Sequence, residues 1–213
     1  MKKLIIFDLD GTLMDTSPGI LYSYSKAGEN LRLTPKAVPE KSCVIGGPLR
    51  DGFNTLYHIE NDEQLTEAIN EYRRLYSSEG IKLYKPYEGI SRLLSELKKV
   101  GLHTAVATLK LQNFADEMLK DAGLFPYFDV IKGWDMSDGC TKSVLLKRAM
   151  ESLGAKPDES VLVGDSRYDL NGAMEAQIAF AGVSYGFGIK QSDSFPGMKY
   201  LAQSPEQLLE YLL

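Results

Sequence analysis

The sequence predicts an α/β fold: a parallel sheet with helices on both faces, interrupted near its start by a helical insertion. Three observations predict it. Short apolar runs of strand length recur between segments with helical spacing of apolar residues. The first run, Leu4-Ile5-Ile6-Phe7, and later ones close on Asp, Thr or Gly-Asp, and in open α/β sheets ligands bind beyond the carboxyl ends of the strands. Between the first run and the second, residues 16–82 carry several helix patterns and no strand.

The elements follow in order. Leu4 to Phe7 is too short for a helix and breaks on Asp and Gly, so it is a buried parallel strand ending at Asp8. A turn at Asp10-Gly11 can bring Asp8 and Asp10 to one cleft. Thr16-Ser17-Pro18 starts a helix running to Leu31; Gly46-Gly47-Pro48 starts another, Leu49 to His58. Thr34-Pro35 and Pro39 break the chain between them. Asn61-Asp62 opens a third helix, Glu63 to Ser78, with Leu65, Ile69, Tyr72 and Tyr76 near helical spacing. Beyond Tyr84 the pattern alternates. Helices are predicted at Ile90–Val100, Phe114–Ala122, Thr141–Leu153, Leu170–Ala176 and Pro205–Leu212, several stopped by Gly. Strands are predicted at His103–Ala107, Phe128–Ile131, Ser160–Val163 and Ile178–Val183. The expected architecture is thus a Rossmann-like doubly wound sheet, residues 1–15 and 83–213, with an inserted α-helical cap, 16–82, hinged at two linkers.

Composition narrows the function. A net charge of −5 without a Lys/Arg block argues against duplex nucleic acid and anionic membranes as partners. No apolar stretch is long enough to span a bilayer, and the first run is too short for a signal peptide. Cys43 and Cys140 form no CxxC pair and read as packing residues in a reducing cytoplasm. Only His58 and His103 are available, which excludes a histidine-rich metal site.

The strand ends gather the reactive side chains: Asp8 with Asp10, then Thr108, then Gly164-Asp165-Ser166-Arg167-Tyr168-Asp169, with Lys142 opening a helix after Gly139. Taken singly, each has a bland reading as a cap, a turn or a solvated charge. In this order, Asp8-Leu9-Asp10-Gly11-Thr12-Leu13 with Asp15, Thr108, Lys142 and the Gly164–Leu170 stretch resemble the four motifs of the haloacid dehalogenase superfamily. The insertion after the first motif resembles its small-cap phosphatases. Ile45-Gly46-Gly47-Pro48-Leu49, Tyr127-Phe128-Asp129 and Val183-Ser184-Tyr185-Gly186 resemble its phosphoglycolate phosphatase and 5′-nucleotidase-like branch.

The resemblance implies roles. Asp8 is the nucleophile that forms an aspartyl-phosphate, and Asp10 the general acid and base. Thr108 donates its hydroxyl to the phosphoryl oxygens and Lys142 neutralises Asp8 and the transferred group. Asp8, the Asp10 backbone carbonyl and Asp165 ligate a metal, and Asp169 either ligates it or holds water beside it. A charge count points the same way: the four carboxylates outweigh Lys142, and a divalent cation with a proton on Asp10 brings the site to zero. All-oxygen donors select Mg²⁺.

The implied partner is a small phosphorylated metabolite, handled by a monomer or small homo-oligomer. Arg50 could grip a second anion on it, or be an exposed helix arginine. Leu109 stands where relatives commonly carry Asn or Ser, and Lys110 follows as a rival to Lys142 for the phosphate. Other readings are a hexose-phosphate mutase of the same superfamily and a weakly active binding module. The mutase usually begins its fourth motif Glu-Asp-Ser, whereas this chain has Gly164-Asp165-Ser166. The binding module would use tyrosines such as Tyr72 and Tyr76 on the helical insertion.

Overall fold

A computed structural model describes residues 2–36, 44–45, 48–137 and 139–213. Cys43, Pro39 and the Gly46-Gly47 pair named above lie outside the described residues. Contacts divide the chain into two compact units, Met1–Asp15 with Lys85–Leu213, and Thr16–Tyr84.

The first unit is built on six parallel strands: β1 (Leu4–Phe7), β4 (His103–Leu111), β5 (Val130–Trp134), β6 (Ser160–Gly164), β7 (Ala179–Val183) and β8 (Met198–Ala202). Their order is β5-β4-β1-β6-β7-β8. The chain winds outward from β1 through β4 to β5, then returns and winds the other way through β6 to β8. The switch point therefore lies at β1, where such sheets bind ligands. Phe7 pairs with Val106 on one side and Val163 on the other. The residues just beyond these strands thus rise beside Asp8.

Alternation along the strands feeds two faces. Leu4 and Ile6 join Ala105, Ala107, Leu162 and Phe180 in one cluster with α6 (Lys142–Leu153) and α7 (Arg167–Glu175). Cys140 packs against that cluster, as a small apolar residue would. Ile5, Phe7, Val106, Val161 and Val163 are fully buried as well. The remaining helices are α4 (Ile90–Lys99), α5 (Gln112–Asp121) and α8 (Pro205–Leu212). Helix α4 buries Ile90, Leu93, Leu94 and Leu97, each contributing about 1.5–3 kcal/mol. Gly101, Gly123 and Gly154 follow helices with φ of 79°, 68° and 62°, the left-handed stop that glycine adopts freely.

Two corrections concern strands. The β4 strand runs past Thr108 to Leu111, and its register with β5 shifts between Ala107 and Leu111. Three residues of β4 there face one of β5, Gly133, whose Cβ would lie 2.6 Å from Gln112 Cα. The sequence reading also passed over β8, a half-exposed edge strand paired only with β7. The β2 (Met14–Asp15) and β3 (Lys85–Pro86) pair is antiparallel, so the chain leaves this unit and re-enters it side by side.

The second unit contains α1 (Ser17–Asn30), α2 (Leu49–Tyr57) and α3 (Asp62–Ser78). It is held by rings. Tyr24 meets Phe53 at 4.9 Å and Tyr72 at 4.7 Å between centroids. Glycines admit them: a Cβ on Gly52 would lie 2.2 Å from the Tyr24 hydroxyl. Tyr72 and Tyr76 stack on each other and are buried, so they do not present the docking surface a binding module would need.

Candidate active site

The first carboxylate follows directly from β1. The Asp8 N–H donates to Val163 O at 2.9 Å, keeping the chain in sheet register for one residue more. The backbone then folds over. Leu9 O accepts from the N–H groups of Thr12, Leu13 and Met14, and Gly11 turns with φ 79°. A Cβ on Gly11 would lie 2.3 Å from Asp165 Oδ2, so glycine is required by space as well as by conformation.

Lys142, in the first turn of α6, reaches back over the strand ends. Its Nζ stands 2.6 Å from Asp8 Oδ1 and 2.8 Å from Asp169 Oδ1 and donates to Ala107 O at 2.8 Å. Thr141 caps the helix by accepting from Val144 N–H. Gly172 on α7 makes room, because a Cβ there would sit 2.5 Å from Lys142 Cγ.

Asp165 and Asp169 come from the turn between β6 and α7. Ser166 and Asp169 form a capping box: Asp169 Oδ2 accepts from Ser166 N–H at 3.1 Å, and Ser166 Oγ accepts from Asp169 N–H at 3.2 Å. Asp169 is thus fixed through one oxygen and turns the other to Lys142. Asp165 Oδ2 accepts from the N–H groups of Phe187 and Gly188, at 2.7 and 3.4 Å. Asp8, Asp165 and Asp169 are all buried, with ligand oxygens within 4.8 Å of one another.

The end of β4 supplies the rest. Thr108 is buried, and its Oγ1 accepts from Lys110 N–H at 3.2 Å, which leaves its own proton to donate. Lys110 faces the other carboxylate of the first motif. It pairs with Asp10, Nζ to Oδ1 at 3.1 Å, and its side chain is almost fully buried. Leu109 between them is exposed. Arg50, in the first turn of α2, pairs with Asp62 at 2.9 Å, and both side chains are more than half exposed.

The electrostatics follow from this crowding. Burial, with Asp169 and Asp10 adding to it against the pull of Lys142, pushes the Asp8 carboxyl up to about 7. Burial and the charges of Asp169 and Asp8 hold Asp165 well above the usual carboxylate range. Burial opposes the charge on Lys142, but Asp169 and Asp8 outweigh it and hold its pKa above that of free lysine. With all four ionised, Asp8, Asp10, Asp165 and Asp169 face only two ammonium groups, Lys110 and Lys142, an excess of two negative charges. The donor set fits a divalent, oxygen-seeking cation on those grounds.

Sequence reasoning missed four contributors: the Lys110–Asp10 pair, Gly172, Gly186 and the backbone of 187–188. A Cβ on Gly186 would lie 2.3 Å from Gly11 O and 2.4 Å from Asp165 Cβ. The signal for that loop is a strand followed by glycines at 186 and 188. The others are contacts between distant parts of the chain, without a local pattern.

Comparison with known proteins places this geometry. The family model described as haloacid dehalogenase-like hydrolase matches residues 5–183. The tyrosine-protein kinase PtkA of Mycobacterium tuberculosis H37Rv is 36% identical over 191 residues. That match covers 87% of this chain, which spans only 63% of PtkA's length. A phosphoglycolate phosphatase of Neisseria meningitidis is 34% identical, over 87% of this chain and 82% of its own. Relatives named pyrophosphatase PpaX and 5′-nucleotidase match as well. The crystal structure of a predicted phosphatase from Clostridium acetobutylicum superposes with a TM-score of 0.88 at 33% identity, covering all of this chain and 98% of that one. With the model running from the first strand through β7, the chain belongs to the haloacid dehalogenase-like hydrolases.

Proposed function

We propose that this protein is a Mg²⁺-dependent phosphatase that hydrolyses a small phosphate monoester through an aspartyl-phosphate on Asp8. One observation carries the reading: Lys142 Nζ bridges Asp8 and Asp169 at 2.6 and 2.8 Å at the switch point of the sheet, with Asp165 buried in the same cluster. A nucleophilic carboxylate beside a fixed ammonium and a cation site is what attack on a phosphate dianion demands. The relatives named phosphatases support the same class.

The steps are these. An Asp8 oxygen attacks phosphorus, and the bond from phosphorus to the ester oxygen breaks. Asp10 gives its proton to the leaving alcohol. Asp10 then takes a proton from water, whose oxygen attacks the same phosphorus and releases Asp8 as a carboxylate with inorganic phosphate. Lys110 holds Asp10 in place from 3.1 Å. Thr108 donates to the phosphoryl oxygens, and Lys142 keeps Asp8 oriented while offsetting charge on the transferred group. Mg²⁺ would be held by Asp8, Asp165 and the Asp10 backbone carbonyl, with Asp169 beside them. It would supply the positive charge that the two lysines leave short. Residues 16–82 act as the inserted cap in this reading.

The test is phosphate release from phosphoglycolate, nucleoside monophosphates and sugar phosphates with Mg²⁺, set against Asp8→Asn. Native protein releases phosphate and the variant does not; equal release from both on every ester refutes the proposal.

A further inference from the structure

The β4 bulge separates three consecutive side chains. It lets Thr108 and Lys110 turn inward while Leu109, between them, stays 41% exposed. The leucine side chain can neither donate nor accept a hydrogen bond, and leaving it in water forgoes its burial. Tyr168, four residues past β6, and Met136, two past β5, are also exposed, at 48% and 70%. Leu109 lies in the irregular last stretch of β4, and Met136 and Tyr168 follow the carboxyl ends of β5 and β6, at the edge that carries Asp8 and Asp165. The two buried cations of the cluster are engaged: Lys110 with Asp10, and Lys142 with Asp8 and Asp169.

We propose that Leu109 is a specificity-determining residue, and that the alcohol it selects is apolar and carries no second anion. The inference rests on the phosphatase reading and names its substrate class. A phosphate dianion is held by Thr108 and Lys142, and the organic part lies against Leu109 instead of against a polar side chain. Exchanging a well-placed apolar contact of this kind shifts discrimination by roughly 10–200-fold.

The experiment compares kcat/KM for 2-phenylethyl phosphate and for phosphoglycolate, in native protein and in Leu109→Asn. The ratio between esters within each protein cancels their intrinsic reactivities when the two proteins are compared. The expected result is preference for 2-phenylethyl phosphate in the native chain and a fall in that ratio of about tenfold in the variant. Leu109 is exposed, so Leu109→Asn keeps its thermal midpoint, and a melt checks this. Turnover confined to esters with a second anion, or a ratio the substitution leaves unmoved, overturns the inference with the phosphatase intact. Release no greater than from Asp8→Asn on any ester overturns both.

Discussion

Lys142→Met is the most discriminating perturbation of the site. Methionine keeps the length and most of the volume of the lysine stem, so packing against Gly172 survives while the charge goes. The ammonium is buried, with contacts at 2.6, 2.8 and 2.8 Å to Asp8, Asp169 and Ala107 O. Removing one partner of a buried ion pair costs about 3–5 kcal/mol, because the charge left behind has nothing to offset it. The carboxylates can escape part of that cost by binding a proton, so the cost depends on pH. In native protein without metal, Asp8 stands at about 7 against roughly 3.9 for an unfolded aspartate. Below that range both states hold the proton. As pH rises from about 4 to 7 the native state holds one that the unfolded state has lost, and stability falls. Without the pull of Lys142 the native value rises further, so the variant goes on losing stability above pH 7, where the native protein has stopped.

The variant should therefore fall behind by a further ~1.4 kcal/mol per pH unit above 7, until its own Asp8 titrates. Urea unfolding in EDTA at pH 5.5, 7 and 8.5 measures it. For a chain of this size, the loss at pH 7 corresponds to a midpoint about 6–20 °C lower. A stability difference that is the same at all three pH values would refute the reasoning. So would a difference below about 1 kcal/mol, which would place Lys142 among exposed pairs.

Two more predictions concern the same cluster. Gly172→Ala sets a Cβ 2.5 Å from Lys142 Cγ, and a displacement near 1 Å can cost about a hundredfold in kcat. A gain in stability of about 1 kcal/mol from helix propensity, with kcat unchanged, would show the close approach to be harmless. Mg²⁺ should raise the thermal midpoint more at pH 8 than at pH 5, since protons on Asp8 and Asp165 compete with the cation. Equal shifts at both pH values, after treatment with EDTA, would count against carboxylate ligation.

Much of the sheet was legible because the central buried strands are short apolar runs, and because α4, α5 and α6 are each followed by a glycine with positive φ. The strand β8 was not. Met198-Lys199-Tyr200-Leu201-Ala202 is half-exposed, gains hydrogen bonds from one side only, and lacks the continuous apolar signal of a central strand. The extension of β4 was hidden for a related reason. A bulge interrupts the alternation at Thr108, and its extra residues make room for side chains of chemical use.

The candidate site divides along the same line. Asp8, Thr108 and Asp165 stood out by their place at the ends of apolar runs, and the order of the motifs singled them out; the structure sets their strands next to each other. Lys142 could be named from its place at the start of a helix after Gly139, but the depth of its burial depends on Gly172, 30 residues further on and uninformative by itself. Lys110 is the sharper case. One and two residues beyond Thr108, a leucine and a lysine look interchangeable as parts of a substrate pocket. The bulge separates them: it sends the lysine inward to Asp10 and leaves the leucine outside. In the proposed mechanism that cation is spent on the general acid, and what β4 offers to the rest of the substrate is apolar. A backbone irregularity of two residues thereby sets how Asp10 is held and, in that proposal, which alcohols the edge of the sheet receives.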